Sequence, residues 1–387
     1  MTYDIAVHGT VAEGFEGVRE EFAAVLAEET AEPGAQLAAY LDGRPVVDLW
    51  AGDGITGDAL TAVFSSTKGA AHLVVALLVQ DGVLDLDRRI TAYWPEFTGG
   101  GKERLTLRDV LAHSAGLIGA DDGFTLDELA DDRLIAARLA GQRPHWEPGT
   151  AFGYHALTIG ALTGEVVRRV TGRSVQELFE ERVRAPYGLG FHLGLPEALE
   201  PRYVPIRPLV PTPEQLAELQ ANDAGPDSLT AIAFSAGAKP PIDLVELVNS
   251  RTTRALSPAS VGGVANARGL AGMYAAAVGG LDGAAPLLKP ETLAEFGRPH
   301  LLGTDLVTGT VDGFGFGLGF ERVRQSYPFL GEGSIGHAGA AGSQSFADPV
   351  NKVAYGYTRR TWAYPGGAAP ENARLAQAVI RAVEAVR

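Results

Sequence analysis

The 387-residue chain contains no cysteine, which removes disulfides, thiolate metal sites and a cysteine nucleophile together. Basic residues are also scarce. Thirty-two lysines and arginines face forty-seven acids, a formal net charge of −15 that repels phosphate backbones and anionic headgroups. Nucleic acid and membrane surfaces are therefore unsuitable partners. The N-terminus, Met1-Thr2-Tyr3-Asp4, lacks the basic start and apolar core of a secretory signal, so a cytoplasmic protein is expected. The longest apolar run, Leu73 to Val79, is far too short to span a bilayer. No His-Glu-x-x-His spacing links the histidines, including those at positions 8, 72, 145, 192 and 300, so no metal site is expected. No Gly-x-Ser-x-Gly elbow of the lipase type occurs either. What remains is ordinary soluble-protein composition, 46% hydrophobic and 20% charged, with no repeat and no low-complexity segment.

Residues Val11 to Glu29 carry Phe15, Val18, Phe22, Val25 and Leu26 at helical spacing and predict an amphipathic helix. Gln36–Leu41, the turn Asp42-Gly43 and Val46–Trp50 predict a hairpin. From Leu105 to about Val248 the pattern is mostly helical. Pro201 to Pro213, with five prolines, predicts an extended excursion. Strand signals return at Phe314–Val323, where glycines alternate, at Ser343–Phe346, and at Val353–Thr358 after the turn Asp348-Pro349-Val350-Asn351. A last amphipathic helix runs from about Glu371, with Leu375, Val379, Ile380, Val383 and Val386 on one side. The expected fold is α+β: an antiparallel sheet flanked by N- and C-terminal helices, with a mostly helical insertion. The division expected is residues 1–64 and 255–387 for the sheet domain and 65–254 for the helical one, with the active site between them.

The stretch Phe64-Ser65-Ser66-Thr67-Lys68 opens the apolar run and carries the most chemistry. Helical spacing puts Ser65 and Lys68 on one face, one turn apart, so the amine reaches the hydroxyl. A serine hydroxyl is a poor nucleophile until a neighbour takes its proton, and a lysine shielded from water can do so. Free N–H groups at the helix start also stabilise negative charge beside Ser65. Ser-x-x-Lys alone recurs roughly once or twice by chance in a chain of this size. Two further motifs give it company. Glu147-Pro148-Gly149-Thr150-Ala151-Phe152-Gly153-Tyr154-His155 is a turn leading to an aromatic pair ahead of a helical segment. Gly336-His337-Ala338-Gly339-Ala340-Ala341-Gly342-Ser343 is a glycine-rich strand that would let substrate approach the backbone.

With Leu111-Ala112-His113-Ser114-Ala115-Gly116-Leu117 and Val170-Thr171-Gly172 in the same order, the chain resembles the serine β-lactamase and penicillin-binding-protein superfamily. The resemblance is to its class C-like branch in particular, which contains the family VIII carboxylesterases, and it spans nearly the whole chain. It implies a serine hydrolase without a cofactor. Ser65 would be acylated, Lys68 would lie hydrogen-bonded between Ser65 and Tyr154, and Tyr154, made phenolate-like by Lys68, would act as base and then acid. The backbone N–H groups of Ser65 and Ala340 would form the oxyanion hole. His337 and Gly339 would contact substrate, and His155 would line the entrance. The pair His113-Ser114 would belong to a structural turn. Trp146 and Trp362 fit an acyl pocket or the core equally. Two departures bear on substrate: Ala156 stands where β-lactamases have asparagine, and His337 where they have lysine. Loss of both polar groups favours small or short-chain uncharged esters over lactams. A β-lactamase, a D-amino-acid-type peptidase or amidase, an acyltransferase and a catalytically retired binding protein are the alternatives on this scaffold. A homo-oligomer is compatible with everything above.

Overall fold

The computed structural model describes residues 5–29, 32–310 and 315–387. Strands β1 (His8–Val11), β2 (Gly34–Leu41) and β3 (Arg44–Gly52) come from the start of the chain, and β7 (Ile335–Ala338), β8 (Gln344–Asp348) and β9 (Val353–Arg359) from its end. They form one antiparallel sheet in the order β1-β3-β2-β9-β8-β7. The two chain ends meet at the central pair, where Leu37 faces Tyr357 and Tyr40 faces Ala354. The Asp42-Gly43 turn joins β2 to β3, and both residues adopt positive φ, as a tight two-residue hairpin requires.

On one face of the sheet lie helix α1 (Glu16–Ala27) and the C-terminal helix Glu371–Val386. Phe15, Val18, Phe22 and Leu26 meet Leu375, Val379, Ile380 and the strand residues Leu37, Leu49, Tyr355 and Tyr357 in one buried cluster. Val386, expected on that apolar side, is 46% exposed at the helix end. On the other face the helix Ala267–Tyr274 packs against β2 and β9. A Cβ at Gly356 would sit 2.5 Å from the Ala267 carbonyl oxygen, so only glycine permits this approach.

Between the two halves of the sheet the chain is mainly helical, and a small sheet, β4 (Thr61–Ala62), β6 (Val264–Ala265) and β5 (Phe191–His192), stitches it to the rest. Helix α2 (Thr67–Gln80) runs through the middle, and every residue from Thr67 to Leu78 is buried. A helix enclosed on all sides is placed by packing, and truncating one of its leucines to alanine would cost about 2–5 kcal/mol. Its polar members, Lys68 and His72, must then find partners inside the protein.

One expected strand is absent. Residues 315–323 form a bend with isolated bridges from Phe316 to Glu321 and from Glu321 to Gly336 (Phe314 lies outside the described residues). The glycines make the fold-back possible. Gly319 takes φ +76° against the His72 ring, and Gly317 approaches the Phe296 carbonyl too closely for any side chain. The Leu318 N–H donates to the Phe296 carbonyl and that of Gly319 to the Leu111 carbonyl, so the ladder partners of a strand are replaced by the C-terminal ends of two helices. No helix among the described residues is long and apolar enough to cross a membrane.

Candidate active site

The turn that carries Ser65 begins with strain. Phe64 adopts φ +46°, a left-handed conformation that disfavours a bulky residue by about 1–2 kcal/mol. Edge-on packing against Trp362, 5.2 Å between ring centroids, holds it there. Ser65 and Ser66 follow in a single 3₁₀ turn, and α2 starts at Thr67. Thr67 Oγ1 donates to the Phe64 carbonyl and accepts from the Gly263 N–H at 2.8 Å.

The β7–β8 hairpin is clipped onto this turn. Ser66 Oγ donates to the His337 carbonyl at 3.1 Å and shares a 3.0 Å contact with Ser343 Oγ, which donates to the Val63 carbonyl at 3.0 Å. Gly339 lies so close that a Cβ there would fall 2.2 Å from both Ser343 Oγ and the Val63 oxygen. The result sets the Ala338–Ala340 backbone beside Ser65 on the wall of one cavity of about 260 Å³. Neither the Ser65 nor the Ala340 N–H donates to another protein group among the described residues.

Lys68 is completely buried, and its Nζ has three oxygen neighbours: Ser65 Oγ at 2.9 Å, the Ala156 carbonyl at 2.7 Å and the Ser260 carbonyl at 2.9 Å. Burial lowers its pKa to about 7, against an opposing pull from Glu321. A neutral amine has two N–H bonds and one lone pair. With both N–H bonds held by carbonyls, the lone pair is left for the Ser65 hydroxyl proton.

Tyr154 is held by its own N–H, which donates to Asp305 Oδ1 at 3.2 Å, and by parallel stacking on Phe316 at 5.5 Å. Its side chain lines the same cavity as Ser65. Burial and the nearby Glu321 carboxyl push the phenol well above its ordinary pKa, while Ser65 pulls the other way. The expectation of a lysine bonded between serine and tyrosine is corrected by the contacts of Lys68, and burial works against the expected phenolate-like tyrosine. Lys68 approaches the face of the Tyr154 ring, 4.9 Å from its centroid, and does not bond the hydroxyl. Burial works against the charged form of each group, lowering the amine and raising the phenol.

Two expected substrate contacts lie elsewhere. His155 is fully buried and does not line the entrance. Its Nδ1 bonds the Gly153 carbonyl at 2.7 Å and its Nε2 accepts the Leu117 N–H at 3.2 Å, which fixes the tautomer and leaves nothing for a ligand. Burial lowers its pKa to about 4. His337 is also fully buried, behind the cavity wall. Its Nδ1 faces two acceptors, the Ala338 carbonyl at 2.8 Å and Glu321 Oε1 at 3.2 Å, so that nitrogen carries the hydrogen. Burial and Lys68 keep its pKa well below the usual range. Gly339 does line the cavity. His113, at φ +61°, accepts the His155 N–H on Nδ1, and Ser114 Oγ donates to the Asp109 carbonyl, so this pair shapes a turn. Trp146 packs edge-on to His155, and neither it nor Trp362 is on the cavity wall.

The wall also holds residues that sequence reasoning missed: Phe234, Asp305, Thr308, Thr310, Phe316 and Glu321. Asp305 Oδ1 accepts from the N–H groups of Tyr154, Val307 and Thr308, which anchors the tyrosine. Glu321 Oε2 accepts the Ala338 N–H at 3.0 Å, and burial raises this carboxyl to about 7. A lone acid after Gly317-Leu318-Gly319-Phe320 was the available signal. A larger groove of about 790 Å³, lined by Pro290, Arg298, Arg322, Arg324 and neighbours, contains none of Ser65, Lys68 and Tyr154. Among the described residues no cluster of histidine, aspartate and glutamate could hold a metal ion.

A family model described as Beta-lactamase matches residues 20–380. The chain belongs to the beta-lactamase family. It is 32% identical to the Esterase/beta-lactamase LipL of Mycobacterium tuberculosis over 83% of this chain and 76% of that protein. Among solved structures, EstA from Arthrobacter nitroguajacolicus is 41% identical with a TM-score of 0.88, covering 97% of this chain and 98% of that one. A family VIII carboxylesterase is 32% identical with a TM-score of 0.85, over 97% and 100% of the two chains. A penicillin-binding protein homolog from Caulobacter crescentus reaches 30% and 0.82 with the same coverage. This member of the beta-lactamase family is a serine hydrolase on an α+β scaffold.

Proposed function

We propose that this beta-lactamase-family protein is a serine carboxylesterase that cleaves small or short-chain esters through a covalent acyl-Ser65 intermediate. The observation that carries the reading is Lys68 Nζ, buried, 2.9 Å from Ser65 Oγ, with its two other contacts occupied by carbonyls. Neutral Lys68 accepts the Ser65 proton as Oγ bonds to the ester carbonyl carbon. The carbonyl oxygen takes the negative charge and is met by the N–H groups of Ser65 and Ala340. As the tetrahedral adduct collapses, the C–O bond to the alcohol breaks, the Tyr154 hydroxyl gives its proton to the leaving oxygen, and Lys68, whose amine lies over the face of the same ring, restores that proton. Water then attacks the acyl-enzyme by the same relay in reverse and releases the acid.

Preference for esters over lactams is supported by the wall itself. A β-lactam carboxylate would meet the Glu321 carboxyl, and the buried His337 offers it no donor. An unpaired polar group costs about 1–3 kcal/mol on burial, more when charged. Esterase EstB of Burkholderia gladioli and the solved family VIII carboxylesterase favour the same reading, and LipL is named for both activities. A free small-molecule ester as partner and the cytoplasm as location belong to this proposal.

A panel of aryl butyrates beside a chromogenic cephalosporin tests it. Esters should be turned over at least about a hundredfold more efficiently, and Ser65→Ala should lower ester turnover by about a thousandfold or more. Equal efficiency on the two substrates would promote the β-lactamase reading. Fluorophosphonate labelling at Ser66 or Ser114 instead of Ser65 would remove the nucleophile assignment.

A further inference from the structure

Ester hydrolysis through Ser65, Lys68 and Tyr154 does not require a carboxyl on the cavity wall, yet Glu321 supplies one. Its side chain is 21% exposed, and its partners are the Ala338 N–H at 3.0 Å and the neutral His337 ring at 3.2 Å. No lysine or arginine pairs with it among the described residues, and none is among the residues lining the cavity. Asp305, the other carboxyl there, is 1% exposed and bonded to three backbone N–H groups, so it is committed to structure. The same wall carries three aromatic rings, Tyr154, Phe234 and Phe316. A carboxylate beside aromatic rings in a partly desolvated space suits an alkylated ammonium, which is attracted to both the charge and the ring quadrupoles. The net charge of −15 draws cations toward the protein as a whole.

We propose that Glu321 is the specificity-determining residue of this cavity and that it selects esters bearing a positively charged, alkylated ammonium group. This rests on the esterase reading and deepens it. The ammonium takes the place of the missing ion-pair partner of Glu321, and the aromatic rings enclose its methyl groups. Groups facing the carboxyl are Lys68, Tyr154, Tyr274, Tyr327 and His337. The three phenols and His337 stay neutral from acid to mildly alkaline pH, because burial raises the former and lowers the latter. Above about pH 7 Lys68 is largely neutral and Glu321 ionised, so the cavity is most attractive to a cation when the relay is ready to act.

The test compares butyrylthiocholine with its neutral carbon isostere, and p-nitrophenyl esters whose acyl chains end in trimethylammonium, tert-butyl or carboxylate. In at least one series the ammonium ester should exceed its neutral isostere in kcat/KM by about tenfold or more near pH 8, and the carboxylate ester should be the poorest. Glu321→Gln should cut the ammonium-to-neutral ratio by about tenfold and relieve the carboxylate ester. Lowering the pH to about 6 should shrink the wild-type ratio and leave that of the variant flat, a change that a merely structural role would not produce. Calorimetry with butyltrimethylammonium, which has no ester bond, should show binding to wild type and to Ser65→Ala, weakened about tenfold by Glu321→Gln. A wild-type ratio of one or less in both series, or a ratio or calorimetric affinity unmoved by Glu321→Gln, overturns the proposal. Loss of the esterase reading would show separately, as wild-type turnover of the neutral isosteres no greater than that of Ser65→Ala.

Discussion

Turnover should fall on the acid side because a lysine, and not a histidine or a tyrosine, holds the relay's base. Lys68 titrates at about 7, since burial removes the water that would stabilise its ammonium form. The folded pKa lies below the ordinary lysine value, so the active neutral form is lost as pH falls through 7. Near pH 8 about nine-tenths of the enzyme carries neutral Lys68, and near pH 6 about one-tenth does, by simple titration about that value. kcat/KM for an uncharged ester, followed by pH-stat to avoid an ionising reporter, should therefore drop about tenfold between these points and a further tenfold per unit below. Because Glu321 raises the lysine, Glu321→Gln should move this acid limb to lower pH. Lys68→Arg places a permanent cation in the same space and should abolish turnover at every pH. A profile flat down to about pH 5.5, or one that rises only near pH 10, would refute the assignment of Lys68 as base.

Tyr154→Phe should lower kcat by roughly a hundred- to ten-thousandfold in steady-state assays, because it keeps the stack on Phe316 and removes only the proton carrier. Gly339→Ala should both destabilise the fold by about 1–3 kcal/mol in urea titration and depress kcat, since its Cβ would meet backbone 2.2 Å away and push the Ala340 N–H out of place. The buried neutral His155 titrates at about 4, below the unfolded value near 6.5, so its contribution to stability is present above pH 6.5 and lost as pH falls. His155→Gln should accordingly lose about 2 kcal/mol less than wild type between about pH 7.5 and pH 5; an identical loss in both would discount the histidine.

Local signals in the sequence read well. Ser65 and Lys68 are one helical turn apart, so their meeting needs no knowledge of tertiary structure, and the 2.9 Å contact follows from that spacing. The Asp42-Gly43 turn and the apolar stripes of α1 and the C-terminal helix are equally local. Direction was not legible. His155 follows Tyr154 directly, yet one ring meets the cavity and the other is locked among backbone groups of residues 117 and 153. Alternating glycines at 315, 317 and 319 mimic a strand, but a glycine's freedom of φ equally allows the fold-back that occurs. Glu321 acquires its meaning from Ala338 and His337, which no local pattern connects to it. The proton affinities of Lys68 and Tyr154 depend on how completely each is enclosed, a property of the packed whole.

Ser66 is tied to residues 271 and 277 positions further along the chain, and Val63 to one 280 positions away. Such closures come late in folding, because the entropy of a long loop must be overcome before any contact rewards it. During synthesis, a nascent chain displays Ser65, Lys68 and Tyr154 long before residues 337–343 leave the ribosome. Until then the Ser65 turn has no clip and no Ala340 N–H beside it. A chain truncated before residue 337 lacks these contacts and should show no ester turnover.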